Sequence, residues 1–337
     1  MTSRWRRLTG WQKASIVLTA LLATLCAGVG VVGYGLLHRY EDRVQREDLL
    51  GDAARTGTRA NWDSGALNLL LLGSDSRLGE PDQEEYPGQR SDAVMIVHLN
   101  AERDQATVIS VPRDSYVNIP AYGEHWSGGM NKLNAAFAFG GAPLAAATIT
   151  ELTGLPLHGA VVVNFAAVRK LVDAVGGVSI CVPYQVVSTD TGRTWPAGCH
   201  QLDGTAADDF VRQRHDVPGG DFGRIHHQQL VLSALMEKVG TESLLSNPLL
   251  LDRLLTTAAE SLVVDRDLDL RKLALGVRKI DPANVRYLTV PYANADLETP
   301  AGVAVELDPV GAQALFDAVG ADRVPQWLAE NPRPPGT

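Results

Sequence analysis

The chain has 337 residues, 45% hydrophobic and 20% charged, which suits a globular protein with at least one sizeable core. Its formal net charge is −9 and its isoelectric point about 5.4, which excludes the basic face of a nucleic-acid binder, so no nucleic-acid partner is expected. Any site for a phosphate must be a local gathering of cations on an acidic protein.

Residues 1–13 carry Arg4, Arg6, Arg7 and Lys13 and no acidic residue. Residues 14–37 then run without a charge, long enough to cross a bilayer as a helix and longer than a cleaved signal's apolar region. Basic residues before the span predict a cytoplasmic N-terminus, a single pass, and an extracytoplasmic remainder. Residues 38–62 are polar and charged and read as a juxtamembrane stalk. Residues 63–325 carry globular patterning, and the proline-rich tail over 326–337 reads as disordered.

Inside the globular part, Leu67–Gly73 reads as a buried strand, with Asp75 just beyond it. Gly73 is expected to permit a tight exit from that strand. Arg90 and Asp92 lead into a second strand over Ala93–Leu99. A third, Ala106–Val111, is β-branched and apolar and is stopped by Pro112, after which Arg113 and Asp114 follow at once. Taken alone, those two are equally readable as a surface ion pair in a turn. Three consecutive strands, however, bring Asp75, Arg90 with Asp92, and Arg113 to or near their ends, and strand ends are where open α/β sheets bind ligands. Guanidiniums suit phosphate, and paired carboxylates beside phosphates suit Mg²⁺.

Pro143 fits the first turn of a helix that Gly154 stops, and Asn164 fits the N-cap of a helix over Phe165–Val175. Val178–Pro183 reads as a strand, and the strand–helix alternation predicts an α/β fold, a mixed sheet flanked by helices in an α-β-α sandwich. Cys181 and Cys199 are the only cysteines outside the span; in an oxidising compartment such a pair reads as a disulfide. Two buried thiols or half a metal site are the alternatives, and no CxxC supports zinc.

The stretch from Leu202 to His215 is rich in charged residues, its blandest reading a solvated loop, and Arg212 and Arg214 share a side only if the piece is extended. An amphipathic helix starts at Asp221, with Arg224 and Gln228 four apart on one face. His215, His226 and His227 lack a three-ligand helical spacing for a metal. Helices are expected over Asp252–Val263, Leu268–Ile280 and Pro309–Val319, and a strand over Val285–Pro291; this remainder reads as support.

Six motifs in this order, Asn68–Arg77, Arg90–Asp92, Ile109–Asp114, Lys132–Phe137, Phe210–Arg214 and Asp221–Arg224 with Gln228, resemble the LytR-CpsA-Psr family of bacterial cell-wall enzymes over roughly residues 67–240. The resemblance implies a membrane-anchored transferase that moves a glycopolymer from a polyprenyl-pyrophosphate carrier to peptidoglycan, outside the membrane, with Mg²⁺ or Mn²⁺. It implies catalytic roles for Asp75, Arg90, Asp92, Arg113, Arg212 and Arg214, with the metal on Asp75 and Asp92. It implies substrate-binding roles for Lys132, Asn134, Asp221, Arg224 and Gln228. Two positions depart from the family pattern: Ala93 stands where Thr is frequent, and His227 where Arg is usual, removing one permanent charge. The competing readings are a non-catalytic lipid-glycan binder or envelope regulator, and a pyrophosphatase that uses water as acceptor.

Overall fold

The computed structural model describes residues 43–55, 64–74, 91–214, 217–241 and 248–331. The basic arm, the expected span over 14–37, Asp75, Arg90, His215 and the last six residues lie outside the described residues.

In chain order the elements are β1 (Gln45–Glu47), α1 (Gly51–Ala54), β2 (Leu67–Ser74), β3 (Ser91–Leu99), β4 (Ala106–Val111), β5 (Tyr116–Ile119) and β6 (Gly129–Lys132). There follow α2 (Leu133–Thr153), β7 (Gly159–Asn164), α3 (Phe165–Ala174), β8 (Val178–Val182), β9 (Val186–Val187), β10 (Thr194–Trp195), β11 (Gly198–Leu202), α4 (Gly204–Arg212) and α5 (Asp221–Thr241). The chain closes with α6 (Pro248–Ser261), β12 (Leu262–Asp265), α7 (Leu270–Val277), β13 (Val285–Thr289), β14 (Tyr292–Thr299), β15 (Gly302–Leu307), α8 (Pro309–Gly320) and α9 (Val324–Glu330).

The seven-stranded sheet has the order β1-β12-β7-β2-β3-β4-β13. Strands β2, β3 and β4 run antiparallel to their neighbours in that trio, whereas β2 with β7 and β4 with β13 are parallel. Side chains alternate between faces. Leu70, Leu72, Ile96 and Ile109 join α2, α8 and α9 in the main core. Leu67, Met95 and Val108 pack on the other face with residues of α5 and α7. The fold is therefore the expected mixed α/β sandwich. A second cluster around Phe210, Ile180, Val211 and Trp195 lies beneath β8, β11 and α4. There Cys181 and Cys199, directly opposite each other on β8 and β11, form a disulfide.

Helix α2 is 21 residues long and apolar enough by length and composition to cross a membrane, yet Leu144, Ala145, Ala146 and Ile149 are buried in the main core. It bends at Gly140 and Gly141, so Pro143 opens a new first turn as expected, and Gly154 stops the helix in a left-handed conformation. The Asn164 side chain caps α3 by accepting from the Ala167 N–H.

Several expectations are corrected. Part of the supposed stalk belongs to the domain: β1 extends the sheet edge, and Leu49 and Leu50 are buried while donating their N–H groups to Asp265. A three-residue strand has too short a pattern to read, and its partner is remote in sequence. The segment before Arg212 is helix rather than loop, because Asp203 caps α4 through the Ala206 N–H and Phe210 fills the second core. The helix expected over Asp252–Val263 ends at Ser261, and Val263 and Val264 go into β12. The supposed tail begins later, since Trp327 of α9 is buried.

Candidate anion site at the sheet edge

Strand β2 ends at Ser74 opposite Ser91, and one register shift separates that pair from Gly73 and Ala93. The extra residue is Asp92, which the bulge turns out of the ladder. Gly73 is needed here for space, not for a turn: a Cβ on it would stand 2.8 Å from the Ala93 Cβ. This corrects the expected role of Gly73 and gives the small Ala93 a local reason.

Strand β4 ends at Pro112, and the Ser115 N–H and hydroxyl both donate to the Pro112 carbonyl, at 3.0 and 2.7 Å. The turn so formed presents Arg113 and Asp114. Its backbone is gripped by the start of α2, where the N–H groups of Leu133 and Asn134 donate to Ser115 and Arg113 carbonyls, and by the Val305 N–H, which donates to the Asp114 carbonyl. Across the gap, α5 opens with Asp221 and Arg224 on its first turn. Gly223 lets the preceding loop fold onto that turn, since a Cβ there would collide with the Val217 side chain.

Four side chains from these three places alternate in charge. The Asp92 carboxylate takes an Arg113 Nη1 contact and lies 3.9 Å from Arg224 Nη1. Asp221 Oδ1 lies 2.6 Å from Arg224 Nη2 and 3.4 Å from Arg113 Nε. Arg224 is 5% exposed, so the pair carries a heavy desolvation cost. Burial pushes the Asp221 carboxyl up and the Arg224 guanidinium down from their ordinary ranges, although each charge favours its partner. The close contacts are not all aligned: Arg113 Nε, Arg224 Nε and Gln228 Oε1 are buried without a hydrogen-bond partner. The two unpaired Nε–H donors cost free energy that an oxygen-rich ligand would recover.

Beside the quartet lies a cleft of about 460 Å³, lined by Arg113, Asp114, Lys132, Asn134, Phe139, Arg214 and Ala301 among others. Asp114 Oδ1 accepts from Asn134 Nδ2 at 3.0 Å and lies 4.0 Å from Lys132 Nζ. Among the described residues, four cations, Arg113, Lys132, Arg214 and Arg224, thus meet three carboxylates, Asp92, Asp114 and Asp221.

Of the residues predicted from sequence, Asp92, Arg113, Lys132, Asn134, Arg214, Asp221 and Arg224 come together here. Gln228, one turn after Arg224, is partly buried. Arg212 is held differently: it is the last residue of α4 and donates from Nε to Asp208 at 2.7 Å, while Arg169 takes the other Asp208 oxygen. His227 does not replace an arginine. It is fully buried, stacked on Phe210 with ring centroids 4.2 Å apart, and 3.3 Å from the Tyr184 hydroxyl. Burial pushes its pKa down to about 4, so it is neutral at pH 7. Sequence reasoning missed Asp114 as a bridge between Arg113 and Asn134, and missed Ala301, whose hairpin reaches the cleft from a region read as support. Among the described residues, no three His, Cys, Asp or Glu side chains converge as a metal cluster.

The α/β sandwich carries this alternating quartet at its sheet edge, beside a cleft lined by Arg113, Lys132 and Arg214. The chain belongs to the LytR-CpsA-Psr family: the LytR_cpsA_psr family model matches residues 34–307. A relative from Corynebacterium glutamicum, described as "Probable cell wall biosynthesis protein LcpB", is 32% identical over 308 residues, covering 87% of this chain and 71% of that protein. The polyisoprenyl-teichoic acid–peptidoglycan teichoic acid transferase TagU of Enterococcus faecalis is 34% identical over 213 residues, 63% of this chain and 66% of TagU. A solved structure of TagT bound to LIIa-WTA superposes with a TM-score of 0.61 at 26% identity, covering 80% of this chain and 94% of TagT.

Proposed function

We propose that this chain is a membrane-anchored phosphotransferase that moves a glycopolymer from a polyprenyl-pyrophosphate carrier to peptidoglycan. The observation that carries the reading is the quartet Asp92, Arg113, Asp221 and Arg224 opening onto a cleft with Lys132 and Arg214. The names of TagU and LcpB and the ligand in the TagT structure support it.

The residues act as follows. Arg113, Arg214, Arg224 and Lys132 bind the donor's pyrophosphate, and charge-assisted hydrogen bonds contribute on the order of 1.5–3 kcal/mol each. Phosphoryl transfer needs mainly positioning and neutralisation of developing charge, which preorganised guanidiniums supply. Asn134 holds Asp114, and Asp114 in turn keeps Arg113 and Lys132 apart and oriented. Among the described residues carboxylates offset most of the cations, which supports a divalent cation as a further counter-charge for the pyrophosphate. Asp75 and Asp92 would hold it: Asp92 is a hard oxygen ligand turned out of the ladder, and Asp75 follows Ser74, the residue paired with Ser91. When bound, Mg²⁺ or Mn²⁺ neutralises phosphate oxygens. The membrane span over 14–37 keeps the site near a lipid-borne donor.

The test is turnover of a polyprenyl-pyrophosphate-linked saccharide with and without peptidoglycan. Transfer should require Mg²⁺ or Mn²⁺, and Asp92→Ala, Asp92→Asn and Asp75→Ala should each abolish it. Unchanged transfer in excess chelator, with those variants active, would leave Asp75 and Asp92 as ordinary turn residues, and binding of the donor with no turnover would leave a non-catalytic binder. Release of the saccharide to water alone would make the protein a pyrophosphatase.

A further inference from the structure

We infer that Gln213, the residue between Arg212 and Arg214, is a positioning residue that aims Arg214 into the cleft, with Asp209 as its anchor. The inference rests on the phosphotransferase reading, because Arg214 has a task only if an anion enters the cleft.

Helix α4 stops at Arg212, and Gln213 takes extended backbone angles, φ −67° and ψ 125°. In extended backbone, side chains alternate. Gln213 is 1% exposed, whereas Arg212 and Arg214 on either side are exposed. Burying an amide is costly unless its atoms are paired, and here they are. Nε2 donates to the Asp209 carbonyl at 2.8 Å, to Asp209 Oδ1 at 2.8 Å and to Ser188 Oγ at 3.2 Å. Oε1 accepts from the Thr189 N–H at 3.0 Å.

Asp209 is itself 7% exposed. Its carboxylate takes the Ser188 hydroxyl at 2.6 Å and the Thr191 hydroxyl at 2.5 Å, and among the described residues no cation pairs with it. A buried carboxylate without a cation persists only where neutral donors saturate it. The network therefore ties the loop over 188–191 to the end of α4 and leaves Gln213 one orientation. Arg214, the next residue, must then project to the opposite side, where it lines the cleft with Arg113 and Lys132. Only an amide serves at 213, since it donates to Asp209 and accepts from the loop at once; a carboxylate there would face Asp209 directly.

The test is a double-mutant cycle on the full chain, with a short-chain polyprenyl-pyrophosphate-linked disaccharide as donor and peptidoglycan as acceptor. Turnover is expressed per folded molecule, with folding checked by thermal melting. Gln213→Glu should lower kcat/KM on the order of 100-fold, as misplacement of a binding group by about 1 Å can. Combined with Arg214→Ala, it should be no worse than Arg214→Ala alone, because both remove the same interaction. Asp209→Asn with Gln213→Glu, which exchanges amide and carboxylate, should recover part of the loss. If Gln213→Glu does not fold, Ser188→Ala in the same cycle decides by the same criterion. Losses that multiply in the double variant, or native turnover in Gln213→Glu, would overturn the positioning role. The unaltered chain reports on the functional reading separately: no transfer by it overturns the phosphotransferase proposal and the positioning role with it.

Discussion

His227 illustrates how a single residue changes meaning with its surroundings. In the motif it stands where the family usually has a permanent charge, but the fold buries it against Phe210 and keeps it neutral. Its folded pKa of about 4 lies below the unfolded value of 6.5, so the unfolded chain binds the proton more readily. Its contribution to stability is complete above pH 6.5 and is lost as pH falls toward 4. Burial shifts His98 and His158 in the same direction. Thermal melts should therefore show stability falling between pH 6.5 and 4, by up to about 1.4 kcal/mol per unit for His227. His227→Phe should flatten part of that slope; an unchanged slope would mean that His227 is already charged in the fold. Asp114 is the complementary case. In sequence it is one half of a turn pair, and only its contacts with Asn134 and Lys132 give it a place in the site.

At the scale of elements, β2, β3 and β4 were legible because their apolar runs are long and bounded, and the residues at their ends were legible with them. Less legible were β1, β12 and the hairpin β14–β15, which are short or exposed and depend on remote partners. The bulge that turns Asp92 out of β3 is also invisible in sequence, because it is a property of pairing. It predicts a specific sensitivity. Gly73→Ala should destabilise the protein by about 1–3 kcal/mol through overpacking against Ala93, and Ala93→Gly should relieve much of that cost. Urea denaturation of the two single variants and the double variant measures the coupling; additive effects would show that the strands separate freely at this point.

For the whole molecule, the charge balance is the instructive quantity. In an acidic chain of net charge −9, the described residues gather four cations at one edge of one sheet and offset three of them with carboxylates. That keeps the fold from carrying a large internal repulsion. The Cys181–Cys199 disulfide suits an oxidising compartment, in line with the topology expected from the basic arm. A membrane-impermeant label on a cysteine introduced just after His38 should react in intact cells, and labelling only after lysis would reverse the topology.

The order of motifs, the sheet-flanked-by-helices class and most of the site's residue types were determined by sequence, because strand ends, caps and apolar periods are local features. The sequence also carried the pairing of two cysteines, since few alternatives existed. Tertiary structure alone decided which charges meet. It separated Arg212, held by Asp208, from Arg214 in the cleft, and it put Asp221 between two arginines from different elements. It also turned Gln213 inward. Such choices depend on burial and on partners far apart in the chain, where desolvation costs several kcal/mol and no local pattern records them.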